Sequence, residues 1–107
     1  MARRLIWSVE ARTSRKNIFD YWNNRNKSKL YSNKLNKLFN ENLKIVINLP
    51  EFGHPTTFEN TKYIIISHFE IIYKITESEI VVLDIWDTRQ NPENFPIEKK
   101  KKTINQS

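Results

Sequence analysis

Three strand-like apolar runs follow one another closely in the second half of the chain. They are TKYIIIS at residues 61–67, FEIIYKI at 69–75 and EIVVLDIW at 79–86. Only the short turns at Ser67-His68 and Thr76–Ser78 separate them. Connections this short join antiparallel neighbours, because a parallel pair needs a crossover of about a dozen residues or more. The three runs therefore predict three consecutive antiparallel strands.

The first half of the chain predicts one strand and two helices. Residues 3–9, RRLIWSV, have the length and the side chains of a strand. Apolar residues then recur at three- and four-residue steps, first over residues 10–26 and again after Ser28, which could cap the second helix. Leu49-Pro50 ends this helix, because proline disfavours the helical conformation of the residue before it. The short polar join near Asn23–Lys27 predicts an antiparallel helical hairpin.

These elements define a fold class. Residues 50–60 are predicted to be a loop, because they hold the only glycine and two of the four prolines. A helical hairpin must bury its apolar stripe, and one face of the sheet is the available partner. We predict a two-layer α+β domain of order βααβββ over residues 1–92, with the helical hairpin packed on an antiparallel sheet, followed by a polar, lysine-rich tail over residues 93–107. The aromatic core candidates are Trp7, Trp22, Tyr31 and Phe39.

Composition excludes several kinds of site. The chain has no cysteine, which excludes disulfides and thiolate metal sites. Its two histidines have no acids at ligand spacing, and no nucleotide-binding loop is present, so we predict neither a metal nor a cofactor. No apolar run reaches the roughly 18–20 residues of a membrane helix, and the N-terminus lacks the apolar core of a signal peptide. We expect a cytoplasmic protein.

Charge is distributed unevenly along the chain. Residues 1–49 hold eleven Lys and Arg against three acids, whereas residues 50–98 hold three against nine. Four consecutive lysines, Lys99–Lys102, follow. The basic first half would attract an acidic protein as readily as a phosphate backbone. The lysine run is either a solubilising end or an arm for RNA, DNA or an acidic partner.

The ordered segments together resemble the RelE/ParE superfamily of toxins from bacterial type II toxin–antitoxin systems. The resemblance covers about residues 3–92 and rests on five segments, IWSVEA, IFDYW, LPEFG, FEIIYKI and IVVLDIWDTRQNP. It implies a growth-inhibiting toxin, of a kind associated with plasmid stabilisation, that is neutralised by a cognate antitoxin. Such antitoxins are usually acidic and partly disordered, and the basic helices of this chain suit a partner of that kind.

Two activities are known within this superfamily. RelE-like members cut messenger RNA in the ribosomal A site, whereas ParE-like members poison DNA gyrase, so only a RelE-like chain would be an enzyme. RNA cleavage needs cations for the phosphate and a proton-transfer group. Here those roles could fall to Arg89, Lys62 and His54. Glu70, however, stands where an arginine would be expected, and an acid there repels a phosphate. We therefore favour gyrase over the ribosome and its messenger as the target.

The segment after the last strand supplies the predicted target-binding residues, Arg89, Gln90, Asn91 and Trp86. Arg89 follows the last strand, where family members carry a functional arginine, and its planar guanidinium suits a phosphate or a carboxylate. A structural role is the alternative for each of the four. Arg89 could pair with Asp87 or Asp84, Gln90 and Asn91 could form a turn, and Trp86 could be buried. His54 could be an ordinary solvated loop histidine.

Three further hypotheses stay open at this point. The chain could be a RelE-like, ribosome-dependent endoribonuclease that uses Arg89. It could also be a degenerate, non-toxic member that persists as a binding module. A nucleic-acid-binding domain unrelated to toxins would be consistent with the positive charge alone.

Overall fold

The computed structural model describes residues 3–89, and the elements within this range follow the predicted order. A short 3-10 turn at Pro50–Phe52 follows the second helix. The helices and strands are β1 Arg4–Trp7, α1 Val9–Asn26, α2 Leu30–Asn48, β2 His54–Pro55, β3 Thr61–Ile66, β4 Phe69–Ile75 and β5 Glu79–Asp87. The two helices pack on the sheet, which gives the predicted two-layer α+β architecture.

The sheet differs from the prediction in two respects. It has five strands in the order β1-β5-β4-β3-β2, because the predicted loop contains the short strand β2, which pairs with Tyr63 and Lys62 of β3. It is also mixed rather than antiparallel, since β1 pairs with β5 in parallel. No tight turn joins β1 to β5, so nothing in the connection requires an antiparallel pair. The three C-terminal strands are antiparallel neighbours as predicted.

Helix α1 begins at a serine that also binds the sheet. Ser8 is the N-cap, and its hydroxyl oxygen accepts a hydrogen bond from the Ala11 N–H at 3.0 Å. The same hydroxyl donates to the Leu83 carbonyl oxygen of β5 at 3.0 Å. The helix ends at Lys27, whose left-handed backbone (φ 54°) is a common helix C-terminus. The N-terminus of α1 is therefore held directly on β5.

The main core lies between α2 and the sheet. The buried apolar residues of α2 recur at steps of four, four and three, as expected for one face of a helix. They pack against the buried side chains of the three C-terminal strands. Phe39, a predicted core residue, is fully buried, whereas Trp7, Trp22 and Tyr31 are partly buried at the margin of the core. The α2 residues are Leu35, Phe39, Leu43 and Val46.

A second, smaller cluster occupies the sheet face that points away from the helices. Tyr63, Ile72 and Trp86 are buried there, and Leu83 packs against them. Glu70 is also buried, with 5% of its surface exposed, and lies directly opposite Trp86 in the β4–β5 pairing. By strand alternation, Lys74 lies on the same face at the other end of β4. This face therefore carries aromatic and apolar side chains together with the acid Glu70 and the cation Lys74.

Tyr73 ties the loop after α2 to the centre of the sheet. Its hydroxyl donates to the Pro50 carbonyl oxygen at 2.7 Å and accepts from the Gly53 N–H at 2.9 Å. A Cβ at Gly53 would lie 2.5 Å from this hydroxyl, so the close approach requires glycine. Burial raises the pKa of Tyr73 to about 12. The neutral hydroxyl is the form that the fold holds.

Tyr73→Phe should lower the free energy of unfolding by about 1–3 kcal/mol, because the Gly53 N–H and the Pro50 carbonyl lose their partner. Urea denaturation measures this loss. Tyr21→Phe is the matched control, since the Tyr21 ring is 54% exposed, and it should cost less than about 0.5 kcal/mol. Equal losses in the two variants would contradict the assignment.

The raised pKa of Tyr73 also predicts a pH dependence. The folded-state pKa of about 12 lies above the ordinary value of 10.0, so the contribution is complete below pH 10.0 and is lost as the pH rises towards 12. Tyr73→Phe should therefore flatten the alkaline decline in stability over this range. Parallel declines in the wild type and the variant would show that another group causes it.

Candidate functional site

Arg89 lies immediately after β5 and is oriented by Asp87. Its Nε donates to Asp87 Oδ1 at 3.1 Å and its Nη2 donates to Asp87 Oδ2 at 2.9 Å. The backbone N–H of Arg89 also donates to Asp87 Oδ1, at 2.9 Å. These bonds lower the pKa of Asp87 and raise that of Arg89, so both groups stay charged. The predicted alternative, pairing of Arg89 with Asp87, is therefore present.

Asp84, the other predicted partner of Arg89, is engaged elsewhere. Its Oδ1 accepts a hydrogen bond from the Ser14 hydroxyl of α1 at 2.6 Å. This bond joins the middle of α1 to β5. Asp84 therefore contributes to helix packing.

The Arg89 guanidinium also lies over an aromatic ring of α1. Its Cζ is 5.4 Å from the centroid of the Trp22 ring, within the range of a cation–π contact. The Arg89 side chain nevertheless remains 49% exposed. Asp87 and Trp22 thus fix the direction of the guanidinium, while part of it stays accessible to a partner.

A cleft of about 500 Å³ opens between α1 and the ends of β4 and β5, with Arg89 in its wall. Its lining combines apolar and aromatic side chains with one amide and one ion pair. We call it the Arg89 cleft, and its lining residues are Asn17, Ile18, Tyr21, Trp22, Phe69, Asp87 and Arg89. The Tyr21 ring is 54% exposed beside it. An exposed aromatic next to an oriented arginine is typical of protein-binding surfaces.

The other candidate cations lie at the far end of the sheet. Asp87 is opposite Phe69 on β4, whereas Lys62 is opposite Tyr73, four residues further along. At about 3.3 Å per residue this separation is about 13 Å along the strand, with two strand spacings of about 4.8 Å in addition. Arg89 and Lys62 therefore do not reach one phosphate together.

Lys62 and His54 each have a local contact of their own. Lys62 Nζ lies 3.2 Å from Glu51 Oε1, and only 17% of the Lys62 side chain is exposed. The His54 ring packs against the Tyr63 ring, with centroids 5.1 Å apart. His54 and Lys62 share a corner, because β2 pairs with β3 there. His54 pairs with Tyr63 and Lys62 pairs with Pro55, so the two side chains point to opposite faces of the sheet. The structure thus places these two predicted residues at one corner without joining them, and it separates both from Arg89.

Trp86 and its neighbours on the helix-free face are largely buried. Trp86 is 8% exposed, so its ring is not available for stacking on a base. Burial and then the charge of Glu70 raise the pKa of Tyr63 on the same face. Both effects keep the Tyr63 hydroxyl neutral. The predicted residues Gln90 and Asn91, and the predicted tail at 93–107, lie outside the described residues.

Sequence reasoning missed the α1 residues of the cleft. The sequence predicts Trp22 as a core residue, whereas the structure places it in the cleft wall with Asn17, Ile18 and Tyr21. The spacing of residues 17, 18, 21 and 22 places them on one side of a helix, which is the signal that could have identified the cleft. Only the contact of α1 with β5 brings that side to Arg89.

The described part of the chain has neither a metal-site cluster nor a membrane-spanning helix. Within residues 3–89, no three His, Asp or Glu side chains come together in a way that could hold a metal ion. Over the same residues, neither helix combines the length and the apolar character that crossing a bilayer requires.

Comparisons with known proteins agree with this architecture. The chain is similar in structure to the chromosomal ParDE TA system from P. aeruginosa, with a TM-score of 0.64, 17% sequence identity, and coverage of 78% of this chain and 94% of the other. At this identity the likeness concerns the fold. No curated protein matches the chain. The model of the family described as ParE toxin of type II toxin-antitoxin system, parDE, matches residues 5–92. The chain therefore belongs to the ParE toxin family of type II toxin–antitoxin systems.

Proposed function

We propose that this chain inhibits growth by binding DNA gyrase through the Arg89 cleft, and that it does not cut RNA. The observation that carries the proposal is the separation of its sheet cations. Arg89 and Lys62 lie at opposite ends of the sheet, and each is paired with a carboxylate. Binding through one oriented arginine and exposed aromatic side chains does not require a cluster of cations.

Electrostatics argue against ribonuclease chemistry at the sheet. Cleavage of a phosphodiester requires cations gathered around the charge that develops in the transition state. The helix-free face instead carries the buried acid Glu70 beside Trp86. A carboxyl group at this position supplies none of the cations that such chemistry requires.

We also propose that an acidic cognate antitoxin neutralises the chain in the cytoplasm. Residues 1–49, which include both helices, hold eleven Lys and Arg against three acids. Such a surface favours association with an acidic partner. The family and the printed description of the structural relative, a ParDE TA system, support a partner of this class.

Arg89→Ala should abolish growth inhibition when the chain is expressed from an inducible promoter. The variant removes the guanidinium that points into the cleft, whereas loss of one exposed ion pair costs at most about 1 kcal/mol of stability. Arg4→Ala is the matched control, because the Arg4–Glu79 pair is also exposed, with a distance of 2.8 Å, and lies outside the cleft. Colony counts after induction measure the effect, and thermal unfolding checks that both variants fold.

Unchanged inhibition by Arg89→Ala, or an equal loss in Arg4→Ala, would contradict a specific role for the cleft. Harmless expression of the wild type without an antitoxin would favour the degenerate binding module instead.

The purified wild-type chain should inhibit DNA supercoiling by gyrase and leave translated messenger RNA intact. Supercoiling assays and primer extension on messages from induced cells measure the two outcomes. Arg89→Ala should relieve the gyrase inhibition by about tenfold or more, which corresponds to roughly 1.4 kcal/mol of lost binding. Cells should also show an SOS response. Codon-phased cuts that disappear in Arg89→Ala would instead identify a RelE-like endoribonuclease.

A further inference from the structure

A second groove lies between α1 and α2, apart from the Arg89 cleft. It encloses about 640 Å³, and the half-buried Phe19 contributes to its lining. We call it the inter-helix groove. Three cations of α1 and three asparagines of α2 line it, namely Arg12, Arg15, Lys16, Asn33, Asn36 and Asn40.

The two grooves lie on different sides of α1. At about 100° per residue, the mean direction of residues 12, 15, 16 and 19 differs by roughly 140° from that of residues 17, 18, 21 and 22, with Arg15 and Trp22 at the border between the two sets. The first set lines the inter-helix groove and the second lines the Arg89 cleft. A ligand in one groove therefore does not fill the other.

The asparagines of α2 form a stripe whose side-chain amides are available to a ligand. Asn33, Asn36 and Asn40 are spaced by three and four residues, so they lie on one face of the helix. Over residues 3–89, their side-chain amides form no hydrogen bond. By contrast, Asn42 and Asn48 of the same helix donate to backbone carbonyls four residues earlier. Each amide of the stripe can both donate and accept.

The α1 cations that line the groove are only weakly neutralised by acids of the described part of the chain. The Arg15 guanidinium lies over the Trp7 ring at 4.2 Å, which orients it. Within the described part of the chain, neither Arg15 nor Arg12 forms an ion pair. Lys16 pairs with Asp20 at 2.7 Å, but the two side chains are 75% and 52% exposed, so water screens this pair. Three cations against one acid leave the groove positively charged.

We propose that the inter-helix groove binds an extended, acidic polypeptide segment. The α1 cations would meet its carboxylates, and the amide stripe would exchange hydrogen bonds with its backbone. The inference rests on the proposed neutralisation of the chain by an antitoxin, because it assigns the acidic segment to that antitoxin. A single-stranded nucleic acid would also need exposed aromatic rings for its bases, and the only ring in the groove, that of Phe19, stacks on Phe39 in the core.

The test measures binding by the full chain to three labelled probes. The first is a peptide of about 12 residues in which every third residue is Glu, long enough to exceed the groove when extended. The second carries Gln in place of Glu, and the third is an oligouridylate of similar length. Fluorescence anisotropy gives affinities, and side-chain amide NMR signals locate the bound peptide. The Glu peptide should bind at least about tenfold more tightly than the Gln peptide and shift the signals of the amide stripe.

Two pairs of variants separate the groove from general charge attraction. R12Q/K16Q should weaken Glu-peptide binding by about tenfold or more, whereas the charge-matched control K34Q/K74Q should change it by less than about twofold. N36A/N40A leaves the charge unchanged and should weaken binding by about threefold or more, whereas N24A/N26A should not. Alanine favours helix more than asparagine does, so loss of the helix does not explain a weaker N36A/N40A.

Several results would overturn the proposal. Equal weakening by the groove variants and their controls would mean that net charge alone attracts the peptide. Tighter binding of oligouridylate at the same amide signals would assign the groove to nucleic acid. Absence of Glu-peptide binding up to millimolar concentration would show that the groove does not bind acidic polypeptides. All of these measurements use purified protein, so a failure of growth inhibition or of gyrase binding remains a separate result.

Discussion

The parallel pairing of β1 with β5 determines where the rest of the structure lies. It brings Trp7 level with Val82, so α1 starts beside the middle of the last strand. Ser8 then bonds to β5 through its backbone, Ser14 bonds to Asp84, and the Trp22 ring meets the Arg89 guanidinium. These contacts occur in the same order along α1 and along β5. The Arg89 cleft lies where the C-terminal half of α1 meets the end of β5.

The helical layer and the sheet layer also differ in charge. The helical hairpin over residues 9–48 holds nine Lys and Arg against three acids, whereas residues 50–89 hold three against seven. On the helix-free face the acid Glu70 is buried beside aromatic rings, whereas α1 presents three cations to the inter-helix groove. This distribution of charge supports the proposals that the chain acts by binding and that an acidic partner binds its helices.

Local patterns predicted most of the elements and the pairing of β3, β4 and β5, but not the pairing of β1 or β2. Strand alternation and short turns were sufficient for β3, β4 and β5, and three- and four-residue spacing was sufficient for the helices. Strand β2 is too short to leave a pattern, and it forms because Tyr73 holds the loop beside β3 through Pro50 and Gly53. The parallel β1–β5 contact joins residues about 75 positions apart, as the pairing of Arg4 with Glu79 shows, and no local signal encodes it.

By itself, the sequence determined the fold class, the toxin superfamily and the uneven charge, and it singled out Arg89 as a candidate site residue. These properties depend on residue types, their order and their periodicity. Only the tertiary structure decided what Arg89 contacts, that Lys62 and His54 lie elsewhere, and that an amide stripe faces the cations of α1. The reason is that sites are formed by residues distant in sequence. How closely these residues approach one another depends on how the helices pack on the sheet.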